Sequence, residues 1–92
     1  MTNNKLFPLG QVVITPNAMT RIPKNEVLHA LSRHKSGDFG DLTEADKQTN
    51  LEALEHGGDS ILSAYNSTSG ERFFIITERD RSATTILLAW EY

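Results

Sequence analysis

Ile76-Thr77-Glu78-Arg79-Asp80-Arg81-Ser82-Ala83-Thr84-Thr85-Ile86-Leu87-Leu88 is the stretch that decides how this chain folds. Two β-branched, apolar runs flank a short loop of alternating charges and hydroxyls, the pattern of a hairpin with a polar tip. The first run starts at Arg72-Phe73-Phe74-Ile75 and the second continues to Ala89-Trp90. Both are hydrophobic on consecutive positions, which implies burial on both faces or a place near the centre of a sheet.

Working outward, Ser60-Ile61-Leu62-Ser63-Ala64-Tyr65 reads as a strand joined to the next by the loop Asn66-Ser67-Thr68-Ser69-Gly70. Before it lies a helix with Thr43 as its cap, Glu44 and Asp46 in the first turn, and Gly57-Gly58 as its stop. Ala45, Leu51 and Leu54 give that helix only a narrow apolar side, so it belongs on the surface. An earlier helix runs from Pro23 to about His34, with Val27, Leu28 and Leu31 on one face. Gly37 and Gly40 break the chain between the two helices. Gln11-Val12-Val13-Ile14-Thr15 is a short strand, and Thr15-Pro16 opens one helical turn over Asn17–Thr20. The order is β-α-α-β-β-β. It predicts one α+β domain over residues 1–92: a short N-terminal strand and two helices packed on one face of an antiparallel three- to four-stranded meander sheet.

Composition narrows the function classes. With 92 residues the chain suits one compact domain with a modest core. It contains no cysteine, which excludes disulfides and thiolate metal sites. Met1 to Pro8 lacks the apolar run of a signal peptide, and no stretch has the length of a membrane span, so a cytoplasmic protein without membrane contact is expected. Net charge is −3, which argues against non-specific nucleic-acid binding. The charge is unevenly placed. Asp38, Asp41, Glu44, Asp46, Glu52, Glu55 and Asp59 face a single Lys47, whereas Arg21, Lys24, Arg33 and Lys35 face only Glu26.

The chain resembles a family of small bacterial proteins carried on plasmids and other mobile elements, labelled "plasmid-related protein" or type I restriction-modification subunit. The resemblance rests on Phe7-Pro8-Leu9-Gly10, Val12-Val13, Thr15-Pro16, Arg33-His34 and Gly37-Asp38-Phe39-Gly40-Asp41-Leu42. It continues through Asp46-Lys47, Asn50, Ala53-Leu54, Ile61-Leu62-Ser63-Ala64-Tyr65, Ile75-Ile76-Thr77-Glu78, Asp80-Arg81-Ser82 and Glu91-Tyr92. Phe39 stands where the family usually has Trp, and Ala89 where it has Pro. The resemblance implies a habitat and carries over no catalytic residue.

Two constellations have chemistry in them. His34 closes a helix, where the dipole favours an imidazolium. Arg81 with Ser82 and Thr84 has the donors of a phosphate cradle, although Glu78 and Asp80 also pair naturally with Arg79 and Arg81. Two helices followed by an antiparallel sheet resemble the barnase-like and RelE-like ribonuclease toxins. In that metal-independent reading His34 or Glu78 activates the 2′-hydroxyl, Arg81 stabilises the phosphorane and Tyr65 stacks a base. The favoured expectation is instead a non-catalytic, mobile-element-borne accessory protein that binds a host or defence complex. Anti-CRISPR and anti-restriction inhibitors are of this kind. Its contacts would be Asp38, Asp41, Glu44, Glu52 and Glu55, with Tyr65, Arg79 and Asp80. Nucleic acid is a partner only in the ribonuclease alternative.

Other chemistry has little basis. His29 and His34 are five apart and do not share a helix face, and His56 stands alone, so no metal site is expected. Asp38-Phe39-Gly40 lacks every accompanying kinase motif, and no phosphate-binding glycine loop occurs, so no cofactor is expected. The chain is expected as a monomer, or as a homodimer through Phe73, Phe74 or Trp90 on an edge strand.

Overall fold

The computed structural model describes residues 6–92; Met1–Lys5, the first part of the segment read above for a signal peptide, lies outside it. The elements run β1 (Gln11–Ile14), α1 (Pro16–Arg21), α2 (Lys24–Lys35), α3 (Glu44–His56), β2 (Ile61–Asn66), β3 (Arg72–Thr77) and β4 (Ala83–Leu88), closed by a 3₁₀ turn at Ala89–Glu91. The α+β class and the helix-then-sheet order are those expected. No helix among the described residues is long and apolar enough to cross a membrane.

The sheet departs from a simple meander. Its order is β1-β4-β3-β2, with β2-β3 and β3-β4 antiparallel but β1 parallel to β4. The chain leaves β1 through α1 and α2, which cross the sheet, and enters β2 at the opposite edge. The three-strand meander then returns to β1, which it meets running the same way. β3 and β4 therefore hold the central positions that their consecutive apolar residues predicted. Phe73 and Phe74 lie on the central strand β3 and Trp90 lies in the 3₁₀ turn, so none of the three sits on a sheet edge as the dimer expectation required.

The first helical turn is a full third helix. Thr15 caps α1 by accepting from Ala18 N–H at 3.1 Å and donates to Glu91 at 2.7 Å, which ties the C-terminal turn to the start of the helix. The inner face of the sheet carries Tyr65, Phe73, Ile75, Ile86 and Leu88 against Ala18, Ile22, Val27 and Ala30 of the α1–α2 layer. A second cluster of Phe7, Phe39, Ala53 and Ile61 extends this core towards α3. The opposite face, with Phe74, Ile76, Thr85 and Leu87, is only half-buried; Tyr92 packs edge-on against Phe74 there, with centroids at 5.6 Å.

α3 lies along the β2 edge, not on the face where both helices were expected. Its Asn50 accepts from Leu62 N–H at 3.0 Å and donates to Leu62 C=O at 2.6 Å, so a side-chain amide takes the place of a further strand. Two residues on, Ala64 N–H donates to Phe39 C=O at 3.1 Å, and Ala64 C=O accepts from Asp41 N–H at 2.8 Å. That approach requires Gly40. Its φ is +76°, and a Cβ there would stand 2.1 Å from the Ala64 carbonyl oxygen. Among the described residues, the opposite edge, at β1, has no such cover.

Candidate functional site

The residues singled out for chemistry fall into three separate places. His34 is the deepest. It has no exposed surface and sits between the rings of Phe7 and Phe39, with centroids at 5.2 and 6.3 Å. Inward positions of three strands supply hydroxyls around it. Ser63 Oγ lies 2.6 Å from Nδ1, Thr77 Oγ1 lies 2.9 Å from Nε2, and Thr84 Oγ1 lies 2.7 Å from Thr77 Oγ1.

The far end of this chain fixes every proton in it. Thr84 donates to the Leu9 carbonyl at 2.7 Å, and a carbonyl only accepts. Thr77 must therefore donate to Thr84 and accept from His34 Nε2–H. Burial keeps the ring neutral, so Nδ1 is bare and accepts from Ser63. His34 is the neutral Nε2–H tautomer, and burial pushes its pKa down from 6.5 to about 4. The expected imidazolium at a helix end does not form, because desolvation of a fully buried ring outweighs the helix dipole. The Ser63–His34 contact has the bonding of a nucleophile and its base. In this conformation, however, neither residue has surface with which to meet a solute.

Arg81 lies elsewhere, in the β3–β4 turn. Its Nη1 donates to the carbonyls of Asp59, Glu78 and Arg79 at 2.8, 3.1 and 3.2 Å, and its Nη2 to that of Ala53 at 3.2 Å. The guanidinium thus holds the C-terminal turn of α3 and the turn to which it belongs. Its φ of 61° is the one positive value at a non-glycine residue among those described. Four carbonyl partners engage both terminal nitrogens, so the guanidinium is committed to the fold and not presented as a phosphate cradle. Asp80 accepts from Ser82 N–H at 3.0 Å, and the Ser82 hydroxyl and N–H together hold its carboxyl below the usual range, while Glu78 and Arg79 are exposed. No Glu78–Arg79 or Asp80–Arg81 ion pair forms, contrary to the simple surface-pairing expectation.

The third place is a shallow groove of about 230 Å³ where α2 meets the β2–β3 end, with Glu26, His29, Arg33, Asn66 and Thr68 around Ala30, Tyr65 and Phe73. Tyr65 is buried, donates to Asp38 C=O at 2.7 Å, and has its pKa pushed up to about 12 by that burial. Arg33 lies over its ring, 4.8 Å from the centroid, and makes a two-bond pair with Asp38 at 2.7 and 3.1 Å. Asp41 is paired with Arg72 at 3.0 Å. Each arginine holds its carboxylate partner below the ordinary range. Tyr65 has its edge engaged and its ring under Arg33, so base stacking has no free face. Glu26 accepts from Ser67 Oγ at 2.8 Å and from Thr68 N–H at 3.0 Å, and also from the Thr68 hydroxyl. It thereby anchors the β2–β3 loop to α2.

The remaining acids stay in solvent. Glu44, Glu52 and Glu55 lie on the outward side of α3 around Leu51, which is 52% exposed. Asp38 and Asp41 do not join that face, since their arginine partners hold them at the α2–β2 corner. Among the described residues no group of three or more His, Asp or Glu side chains could hold a metal ion.

Sequence reasoning missed Ser63, Thr77, Asn50, Arg33 and Arg72. Their signal was faint but present. Ser63, Thr77 and Thr84 interrupt the inward, otherwise apolar positions of their strands, and such hydroxyls need a buried polar partner. No family model matches the chain, and no curated protein or solved structure matches it at a significant level.

Proposed function

We propose that this protein is a non-catalytic binding protein that docks on a basic surface of a partner complex through the outer side of α3. The observation that carries this reading is the state of the charged groups. Glu44, Glu52 and Glu55 surround exposed Leu51, and among the described residues their basic contacts are two, the 3.7 Å Lys47–Glu44 pair and His56 beside Glu55. An apolar centre ringed by carboxylates suits an interface with a basic protein face. The mobile-element setting, and with it an inhibitor of a host defence complex of the anti-CRISPR or anti-restriction kind, rests on the family resemblance. The ribonuclease alternative has less support. His34, Glu78 and Arg81 do not converge on one pocket, and two of the three are engaged with other parts of the fold.

The test is a pull-down from host lysate with wild-type protein and with the double substitution Glu52→Lys/Glu55→Lys. A basic partner retained by the wild type and lost from the variant supports the reading. Equal retention by both overturns it. Total RNA from cells expressing the wild type is expected intact; cleavage would restore the ribonuclease reading.

A further inference from the structure

The β1 edge contrasts with the sealed β2 edge. Gln11 and Thr15 donate their N–H groups to Ser82 and Ile86 of the β4 side, both at 3.0 Å. Strand alternation therefore turns the N–H and C=O of Val12 and Ile14 away from the sheet. Edges of this kind are usually blunted by lysine, proline or a bulge. This one carries Val12 and Val13, 45% and 44% exposed on opposite faces, and no charge. Such a strand has the character of the interior of a sheet.

We propose that β1 is a dimerisation strand: two copies of the chain pair β1 with β1 antiparallel, about a two-fold axis beside Val13. Three observations select a second copy as the occupant. First, the added strand must be apolar on both sides. Its inner side meets a groove of about 390 Å³ lined by Val12, Ile14, Met19, Leu28 and Leu31, with Lys24 as its one charged residue, and Met19 and Leu28 there are 64% and 56% exposed. Its outer side continues the half-buried face at Thr85 and Leu87, and β1 itself meets both demands. Second, the register closes on itself. Val12 of each copy exchanges both hydrogen bonds with Ile14 of the other, and the two Val13 residues face each other as a non-hydrogen-bonded pair. Third, β1 holds no charged residue, so the axis brings no like charges together.

The paired surface is short, smaller than the roughly 800 Å² per partner of a standard interface, so association depends on concentration. The test is the mass of the full chain in sedimentation equilibrium over about 1–500 µM, with doubling expected towards the upper end. Val12→Lys, at an exposed site, is expected to keep the monomer mass throughout with an unchanged circular-dichroism spectrum. The chain has no cysteine, so any disulfide in a single-cysteine variant joins two copies. Across a non-hydrogen-bonded pair the Cα atoms stand ~4.5 Å apart, within disulfide reach. Val13→Cys is therefore expected to crosslink on mild oxidation at least tenfold faster than Glu52→Cys on the outer side of α3. A wild type that stays monomeric, a dimer that survives Val12→Lys, or equal crosslinking of the two cysteine variants would each overturn the proposal.

Discussion

Acidification tests the buried histidine most directly. The His34 ring has a pKa of about 4 in the folded protein against 6.5 as the ordinary value, so the unfolded chain binds its proton first as pH falls. Stability contributed by keeping this ring neutral is complete above pH 6.5 and drains away as pH drops towards 4. The full span is worth about 3 kcal/mol, and about 2 kcal/mol is lost between pH 7.5 and 5. That is a large share of the margin of a small domain, roughly 5–14 kcal/mol for this length. The carboxylates Glu26, Asp38, Asp41, Asp80 and Glu91, all held below their usual range, add their losses at lower pH. The interval from 7.5 to 5 therefore isolates the histidine. Urea unfolding followed by circular dichroism at several pH values in that interval should give a falling free energy, and His34→Gln should flatten the fall. Imidazole ¹⁵N shifts of the wild type at pH 7 should show a protonated Nε2 and a bare Nδ1, whatever the stability of the variant. An unchanged midpoint from pH 7.5 to 5, or a His34 ring that titrates near 6.5, would refute both the burial argument and the proton order derived from Leu9.

Three substitutions probe the supports of the fold, each read by urea denaturation. Asn50→Ala leaves Leu62 N–H and C=O without their partner and should cost about 2–4 kcal/mol, well beyond the loss of one exposed side chain. Gly40→Ala forces a Cβ against the Ala64 carbonyl in left-handed backbone and should destabilise by more than about 2 kcal/mol, whereas the same change at Gly70, which has open space around it, should cost less. Arg81→Ala removes four carbonyl contacts and should cost about 1–3 kcal/mol, with hydrogen exchange rising at the C-terminal turn of α3.

Local signals in the sequence transferred well to the structure. Thr43, with its side chain accepting from Asp46 N–H, and Gly57 bound α3 as their residue types predict, because caps act within one turn. The strands fall where their β-branched runs lie. What was not legible depended on distant partners. Nothing in Gln11–Ile14 says whether its neighbour runs parallel or antiparallel, since the partner lies some seventy residues away. Arg81 looks like a free cation until the carbonyls of Ala53 and Asp59 arrive beside it. His34 reads as a solvated helix end because its neighbours in sequence are Arg33 and Lys35, and only the third dimension shows that it points into the core while Arg33 turns to Tyr65 and Asp38.

The two edges of this sheet are chemically unequal, and that inequality limits how far strand addition can proceed. Linear growth by edge pairing needs two adhesive ends per unit, and here Asn50 and the Phe39–Asp41 backbone consume one of them. With β1 as the dimerisation strand proposed above, each molecule would be univalent. Joining two of them through β1 exhausts the supply of free edges and terminates the assembly, which separates a closed pair from a fibre. Restoring a second valence would take the loss of both covers of β2, the Asn50 amide at Leu62 and the Phe39–Asp41 backbone at Ala64, and edge pairing would then propagate a polymer.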